Sequence, residues 1–129
     1  MAPPEAVKRV VLCSGKVYYD LLQTRRDKGI GDVAILRLEQ FYPFPDRTLA
    51  RLLAPYVNAD VVWCQEEPAN MGGWNFVDRR IEAVLTEINI KANRPRYAGR
   101  TDAASPATGL ARTHAAEQAA LVADALGIA

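Results

Sequence analysis

The chain has 129 residues, of which 50% are hydrophobic and 24% are charged, and its formal net charge at pH 7 is +1. A chain of this length and composition is typical of one globular domain with its own core. So small a net charge creates no field that would attract nucleic acid or an anionic membrane. No apolar run approaches the roughly 18 residues of a membrane span, and the N-terminus lacks the apolar stretch of a signal peptide. We therefore predict a cytoplasmic protein that binds neither nucleic acid nor membranes.

Strands and helices are predicted to alternate along residues 8–129, which form the domain, whereas residues 1–7 are predicted to be a linker or an artificial chain boundary. Apolar, β-branched runs predict strands at 9–15, 32–40, 60–65 and, as a short one, 94–100. Apolar residues at helical spacing predict helices at 16–29, 46–56 and 76–88. A last helix is predicted to be capped by Thr113, with an inward face of Ala115, Ala119, Val122, Ala123 and Leu126. Residues 41–45 are predicted to form a rigid turn and residues 101–109 a loop.

This alternation predicts the fold class. Strands that are joined to helices through short connections form β-α-β units, and such units build a mainly parallel sheet. Right-handed crossovers then place the helices over the sheet. We therefore predict an α/β domain with three layers, α/β/α.

Polar residues follow three of the predicted strands where each strand ends. Ser14 and Lys16 follow the first strand, Arg37 lies near the end of the second, and Gln65 ends the third. Ligands of open parallel sheets bind outside the carboxyl ends of the strands. If these strands are neighbours, their ends form one crevice suited to an anion, because a helix N-terminus offers N–H groups and Arg37 can bind two phosphate oxygens. In the alternative interpretation, Lys16 is solvated and Arg37 pairs with Glu39 or with a neighbouring carboxylate.

The segment "QEEPANMGGW" (65–74) carries two adjacent carboxylates, Glu66 and Glu67. Neighbouring residues on an extended backbone point to opposite sides of a sheet, so the two cannot easily flank one substrate as paired catalytic carboxylates do. We predict instead a structural turn or an interface contact. The residues assigned to it are Glu66, Glu67, Pro68, Gly72, Gly73 and Trp74.

The other reactive residues predict no catalytic or metal site. Cys13 and Cys64 each lie inside an apolar run without Cys/His ligand spacing, which favours reduced core thiols over a disulfide or a zinc site. His114 is the only histidine and is interpreted as a polar residue near a helix start rather than as a general base. Trp63 and Trp74 are interpreted as packing or interface anchors.

Four motifs carry a specific resemblance. "LCSGKVYYDLL", "DVAILRLEQFYPFP", "WCQEEPANMGGW" and "RYAGRTDAASPATG" occur in this order. Together they closely resemble the C-terminal domain of 2-oxoglutarate dehydrogenase, the thiamine-diphosphate-dependent first component, from about Lys8 to the C-terminus. The resemblance implies a transketolase C-terminal-like fold, in which a mostly parallel sheet contains one antiparallel strand.

The resemblance also implies a function for the full-length enzyme. That enzyme is a homodimer that oxidatively decarboxylates 2-oxoglutarate on thiamine diphosphate with magnesium, in the tricarboxylic acid cycle. It passes the succinyl group to the lipoyl arm of the succinyltransferase component. The remaining domains of the same enzyme hold the cofactors, so this chain is expected to bind none, to carry no catalytic residue and to be inactive alone. Its own expected role is assembly and regulation.

Some members of the resembled family bind AMP or acetyl-coenzyme A as allosteric effectors in this domain. By resemblance, the matching positions are Ser14, Lys16, Arg37 and Gln65. Two alternatives stay open at this point. One is a free-standing α/β nucleotide-binding module, and the other is the same domain from a 2-oxoadipate-type dehydrogenase, whose substrate choice lies in other domains.

Overall fold

The computed structural model describes residues 2–100 and 111–128, and for residues 111–113 the backbone only. Within these ranges, strands and helices alternate as the sequence predicts. After a short 3-10 helix at Pro4–Ala6, the elements are β1 (Arg9–Cys13), α1 (Val17–Asp27), β2 (Val33–Arg37), α2 (Asp46–Leu53), β3 (Asp60–Pro68), α3 (Trp74–Ile88), β4 (Arg96–Arg100) and α4 (Ala111–Leu126). The predicted short strand is present as β4, and the predicted loop at 101–109 lies outside the described residues.

The four strands form one sheet in the order β2-β1-β3-β4, and every pairing is parallel. The register aligns Cys13 at the end of β1 with Arg37 on β2 and with Cys64 on β3. The antiparallel strand that the resemblance implies is absent from the described residues, so this detail of the prediction is wrong for them. Each connection between consecutive strands that the structure describes contains a helix. Such a crossover returns the chain to the same end of the sheet, so successive strands run parallel.

Helices cover both faces of the sheet, and the strand residues alternate between two cores. The core on the side of α2 and α3 includes the strand residues Val10, Leu12, Val61 and Trp63. The core on the side of α1 and α4 includes the strand residues Val11, Cys13, Val62 and Cys64. The predicted three-layer α/β/α architecture is therefore confirmed.

The last helix differs from its prediction at its start and on its inward face. Because α4 begins at Ala111, Thr113 lies within the helix and not at its cap. Ala115 and Ala119, which the spacing predicts to face inward, are exposed, while Ala123 is half-buried. Larger side chains bury more apolar surface, so they decide which face of an alanine-rich helix packs inward. The buried residues of α4 are Leu121, Val122, Ala125 and Leu126.

The N-terminal residues contact the domain. The Ala2 N–H donates to the Gly31 carbonyl at 2.8 Å, and Val7 is 1% exposed within the core beside α2 and α3. Residues before the predicted boundary at Lys8 therefore add apolar contacts to the core. The boundary itself stays a prediction.

Candidate functional site

The carboxyl ends of β2, β1 and β3 lie side by side, because β1 is the middle strand of the three. This order meets the condition for a shared crevice. Ser14 is half-buried directly after β1, and Lys16 is exposed just before α1. Within the part of the chain that the structure describes, the Lys16 ammonium group has no hydrogen bond or ion pair. Its charge is therefore available to a ligand.

Arg37 is held at this crevice by polar and aromatic contacts. Its Nε donates to Glu39 Oε1 at 2.6 Å, and its Nη1 donates to the Tyr19 hydroxyl at 3.1 Å. The guanidinium carbon lies 5.4 Å from the ring centre of Tyr18 and 5.3 Å from that of Tyr19, within cation–π distance. The Gly15 N–H donates to the same Glu39 oxygen at 3.2 Å. A guanidinium and a backbone N–H thus converge on one carboxylate oxygen, as they would on an oxygen of a phosphate.

These bonds also shift the protonation equilibria of the two side chains. The hydrogen bond to Glu39, followed by that to Tyr19, raises the pKa of Arg37 above its ordinary value. The bond from Arg37, followed by that from the Gly15 N–H, lowers the pKa of the Glu39 carboxyl. Glu39 is therefore ionised at neutral pH, and it accepts hydrogen bonds from the Arg37 and Gly15 donors of the predicted anion site. The pairing of Arg37 with Glu39, which the alternative interpretation predicts, is the arrangement in this structure.

Gln65 points away from Arg37, toward α3. Its side chain is buried, and Oε1 accepts hydrogen bonds from Trp63 Nε1–H and from the Trp74 N–H, both at 2.9 Å. Its Nε2 lies 3.1, 2.8 and 2.7 Å from the carbonyl oxygens of residues 67, 68 and 71. An amide oxygen accepts two bonds and an amide nitrogen has two hydrogens, so these partners fill its capacity. An effector contact by Gln65 stays a prediction that requires some of these bonds to break.

The sequence did contain a signal for this orientation. Side chains of a strand alternate between its two faces, so Gln65 lies on the same face as Trp63. Arg37 lies two residues after Ile35 on β2, so the two side chains share a face of the sheet. Ile35 packs with the core on the face opposite to Gln65. The alternation along β2 and β3, combined with the strand order, separates Arg37 from Gln65.

The turn after β3 is fixed by its glycines. β3 continues to Pro68, beyond its predicted end at residue 65, and α3 begins at Trp74. Gly72 has a φ of 69°, a conformation that residues with a side chain rarely adopt. At Gly73 an added Cβ atom would lie 2.9 Å from the ring of Phe41. These features describe a rigid strand-to-helix turn, while its assignment to an interface stays a prediction.

Glu66 and Glu67 point to opposite sides of the sheet. Glu66 Oε1 accepts a hydrogen bond from Gln118 Nε2 of α4 at 2.8 Å. On the α3 side, an added Cβ atom at Gly72 would lie 3.0 Å from Glu67 Oε1 and 3.2 Å from Gln65 Oε1. The Glu67 carboxylate is therefore near Gln65, across the sheet from that of Glu66. Two carboxylates so placed do not face a common substrate position.

Arg100, which no sequence motif marks as functional, lies at the centre of a polar network. Its side chain is 8% exposed, and Nε donates to Glu117 Oε2 at 3.1 Å. Nη1 donates to the Glu66 carbonyl, and Nη2 lies 3.1 Å from Gln118 Oε1 and 3.2 Å from His114 Nδ1. His114 thus contacts a buried guanidinium that joins α4 to the ends of β3 and β4.

A signal for this network exists in the sequence of the last helix. His114, Glu117 and Gln118 are spaced by three and four residues, so they share one face of a helix. Gln118 Nε2 also donates to Asp20 Oδ2 of α1 at 2.8 Å. What the spacing does not reveal is that Arg100 is the partner.

The two cysteines lie opposite each other on β1 and β3, with their side chains fully buried in the core beside α1 and α4. Burial raises the pKa of the Cys13 thiol to about 12 and raises that of Cys64 as well. At about pH 8, roughly one Cys13 thiol in ten thousand is ionised. We expect dithiobisnitrobenzoate to label neither cysteine of the folded chain at this pH, because thiolate is the reacting form. Labelling of both in urea is the control, and rapid labelling of the folded chain would contradict the prediction.

Metal-binding side chains are not grouped in the described ranges. Among residues 2–100 and 111–128, no three or more His, Cys, Asp or Glu side chains are placed to hold a metal ion. In the same ranges, no helix has the length and apolar character needed to cross a membrane.

The comparison with protein families shows the family of this chain. The family model described as "2-oxoglutarate dehydrogenase C-terminal" matches residues 1–126. The chain belongs to this family. The 2-oxoglutarate dehydrogenase C-terminal family is also represented by curated relatives from Brucella anthropi and Brucella ovis, each named 2-oxoglutarate dehydrogenase E1 component. Each is 57% identical over 121 residues, which cover 94% of this chain and 12% of the relative. The chain therefore spans about an eighth of the length of these relatives.

A solved structure supports the fold of this 2-oxoglutarate dehydrogenase C-terminal domain. It is described as a split-gene transketolase in an inactive beta4 tetramer, and the match covers 99% of this chain and 43% of that one. The TM-score is 0.55 and the sequence identity is 14%. At this identity the likeness establishes the shared fold alone, which is the transketolase-like fold that the resemblance implies.

Proposed function

We propose that the chain is the assembly and regulatory domain of a 2-oxoglutarate dehydrogenase first component. The observation that supports this is the family match over residues 1–126, together with the E1 components that are 57% identical to the chain. In this proposal, the full-length enzyme is a cytoplasmic homodimer that decarboxylates 2-oxoglutarate and passes the succinyl group to the lipoyl succinyltransferase component. Thiamine diphosphate, magnesium and the catalytic residues belong to its other domains. The chain alone is expected to be inactive.

The strand-end crevice supports the regulatory part of the proposal. Arg37 and the Gly15 N–H are donors that meet at one Glu39 oxygen, and Ser14 and Lys16 flank Gly15 in the chain. AMP and acetyl-coenzyme A share phosphate groups, which such donors bind. Glu39 accepts the bonds from Arg37 and the Gly15 N–H, so an effector phosphate binds there by replacing the Glu39 carboxylate. This exchange links occupancy of the crevice to the conformation of the segment after β2.

Variants of Arg37 and Glu39 test this site. We expect Arg37→Ala to weaken binding of AMP or acetyl-coenzyme A by roughly ten- to hundredfold, the usual effect of losing a hydrogen bond to a charged group. Glu39→Gln removes the competing carboxylate and is expected to strengthen binding by about two- to fivefold. Calorimetric titration of the 129-residue chain measures both changes.

Arg26→Ala is the matched control, because Arg26 is an exposed arginine on α1 near the opposite end of the helix from the crevice. It is expected to leave affinity unchanged. Equal affinity in the Arg37→Ala and unmodified chains would rule out the crevice as the effector site. A lack of binding by the folded chain would leave assembly as the proposed role.

A further inference from the structure

The backbone of β2 has a definite orientation at the edge of the sheet. β2 is the outermost strand beside β1. The Leu38 N–H donates to the Cys13 carbonyl at 2.7 Å, so residue 38 directs its backbone groups toward β1. Backbone groups of successive strand residues point to opposite edges, so residues 34 and 36 also face β1. Residues 33, 35 and 37 face outward.

The outward groups of β2 are only partly covered. Arg25 Nη1 donates to the Val33 carbonyl at 3.0 Å and so covers the beginning of the edge. The N–H and C=O groups of Ile35 and Arg37 have no outward partner among the residues that the structure describes. An edge strand with unpaired, aligned backbone groups is a template for pairing with another strand.

An apolar groove of about 280 Å³ lies beside this edge, between β2 and α2. Leu36, which lies between the two residues with outward backbone groups, lines it. Leu52 of α2 also lines the groove and is 48% exposed. The other apolar lining residues are Leu12, Leu38, Pro45 and Leu49. The groove can therefore accept an apolar side chain from a strand that is added next to β2.

Positive charge lies next to the groove on α2. Arg47 and Arg51 are exposed one helical turn apart, and they adjoin Thr48 and Leu52 of the groove lining. Within the described part of the chain, neither guanidinium has a hydrogen bond or an ion pair. Unpaired arginines beside an apolar groove favour a partner that carries carboxylates next to an apolar side chain.

We propose that the outer edge of β2 and this groove bind an extended acidic segment of a partner protein by strand addition. The segment hydrogen-bonds to the backbone of Ile35 and Arg37, and one of its aliphatic side chains enters the groove next to Leu36. Its carboxylates meet Arg47 and Arg51. Backbone bonds supply affinity in this mode, and pockets for alternate side chains supply specificity. The partner segment therefore alternates aliphatic and acidic residues.

The probe for this surface is a pool of fluorescein-labelled heptapeptides in which Glu alternates with an equal mixture of Val, Ile and Leu. Binding to the 129-residue chain is measured by fluorescence anisotropy. Two N-methylated versions of the pool carry methyl groups on alternate amides, so that only one version has its methyl groups on the edge that faces β2. We expect saturable binding of the pool, and at least a tenfold loss for one N-methylated version and not for the other.

Two variants of the chain give independent readouts. Ile35→Pro removes an outward N–H, which edge strands tolerate, and is expected to weaken binding at least about tenfold. Arg51→Glu reverses a charge beside the groove and is expected to weaken binding about fivefold or more at low salt. Arg26→Glu is the charge-matched control on α1 and is expected to leave binding unchanged. Circular dichroism verifies folding of each variant, and the N-methylated pools decide the question if Ile35→Pro does not fold.

Three results would overturn the proposal. The first is the absence of saturable binding to the folded chain. The second is an equal effect of both N-methylation patterns, which would show that no strand pairing occurs. The third is self-association of the chain, seen by analytical ultracentrifugation and abolished by Ile35→Pro, which would assign the edge to a second copy of the chain.

Discussion

Replacing Gln65 with leucine is expected to lower the free energy of unfolding by about 3–5 kcal/mol. The side chain is 2% exposed, and its carboxamide joins Trp63, Trp74 and the carbonyls of residues 67, 68 and 71. Leucine removes the acceptor of the Trp63 and Trp74 N–H groups and the donor to three carbonyls, of which those of residues 67 and 68 keep a bond, from the Tyr97 hydroxyl and from the N–H of residue 71. Each buried polar group that is left without any hydrogen bond costs about 1–3 kcal/mol. Urea unfolding followed by far-ultraviolet circular dichroism measures the change without depending on tryptophan fluorescence.

Gln40→Leu is the matched control. Gln40 is exposed and donates one hydrogen bond, to the Pro43 carbonyl at 3.2 Å. Its replacement is expected to change the free energy of unfolding by less than about 0.5 kcal/mol. If Gln65→Leu were as mild as this control, the carboxamide would not hold the turn after β3, and an effector role for Gln65 would gain support.

Arg100→Met is expected to destabilise the fold by about 3–5 kcal/mol, because it removes one member of a buried, charged network. The methionine keeps an apolar stem of similar length but leaves the Glu66 carbonyl, His114 and Gln118 without their donor. Glu117 also loses its ion pair. Since this network joins α4 to the strand ends, amide hydrogen exchange should rise first in α4. Urea unfolding and residue-resolved exchange measure the two effects.

Arg96→Met provides the comparison on the same strand. The Arg96 side chain is 49% exposed and pairs with Asp124, which is 54% exposed. Surface pairs of this kind contribute about 0–1 kcal/mol, so the loss should stay within that range. Equal losses for Arg96→Met and Arg100→Met, or uniform exchange across the chain, would contradict a specific attachment of α4 by Arg100.

The strand-end region combines two buried hydrogen-bond networks with one ion pair that is in contact with solvent. Gln65 and Arg100 are buried and hold the turn after β3 and helix α4. Arg37 and Glu39 are paired in contact with solvent, where a ligand can compete for either partner. Substitutions in the first group are therefore expected to act on stability, and substitutions in the second on binding.

The crevice could be predicted from the sequence only in part. Ser14 and Lys16 come at the end of one apolar strand, and Arg37 and Glu39 at the end of the next. Their place at one end of the sheet therefore follows from the α/β pattern. The assignment of Gln65 to the same crevice neglects the side of the sheet to which its side chain points. The role of Arg100 could not be predicted for a different reason. Its partners include Glu66 and Gln118, which are 34 and 18 residues away in the sequence. No local periodicity encodes such distant pairs.

By itself, the sequence determined the order of strands and helices and the three-layer fold, because these depend on patterns within a few residues. It also carried the motifs of the 2-oxoglutarate dehydrogenase C-terminal family. It did not determine the buried face of the alanine-rich α4. Only the tertiary structure decided that Glu39 pairs with Arg37, that Gln65 serves the turn and that Arg100 joins α4 to the sheet. Those choices depend on strand order, on the side of the sheet that each residue faces and on burial, which makes an unpaired polar group costly.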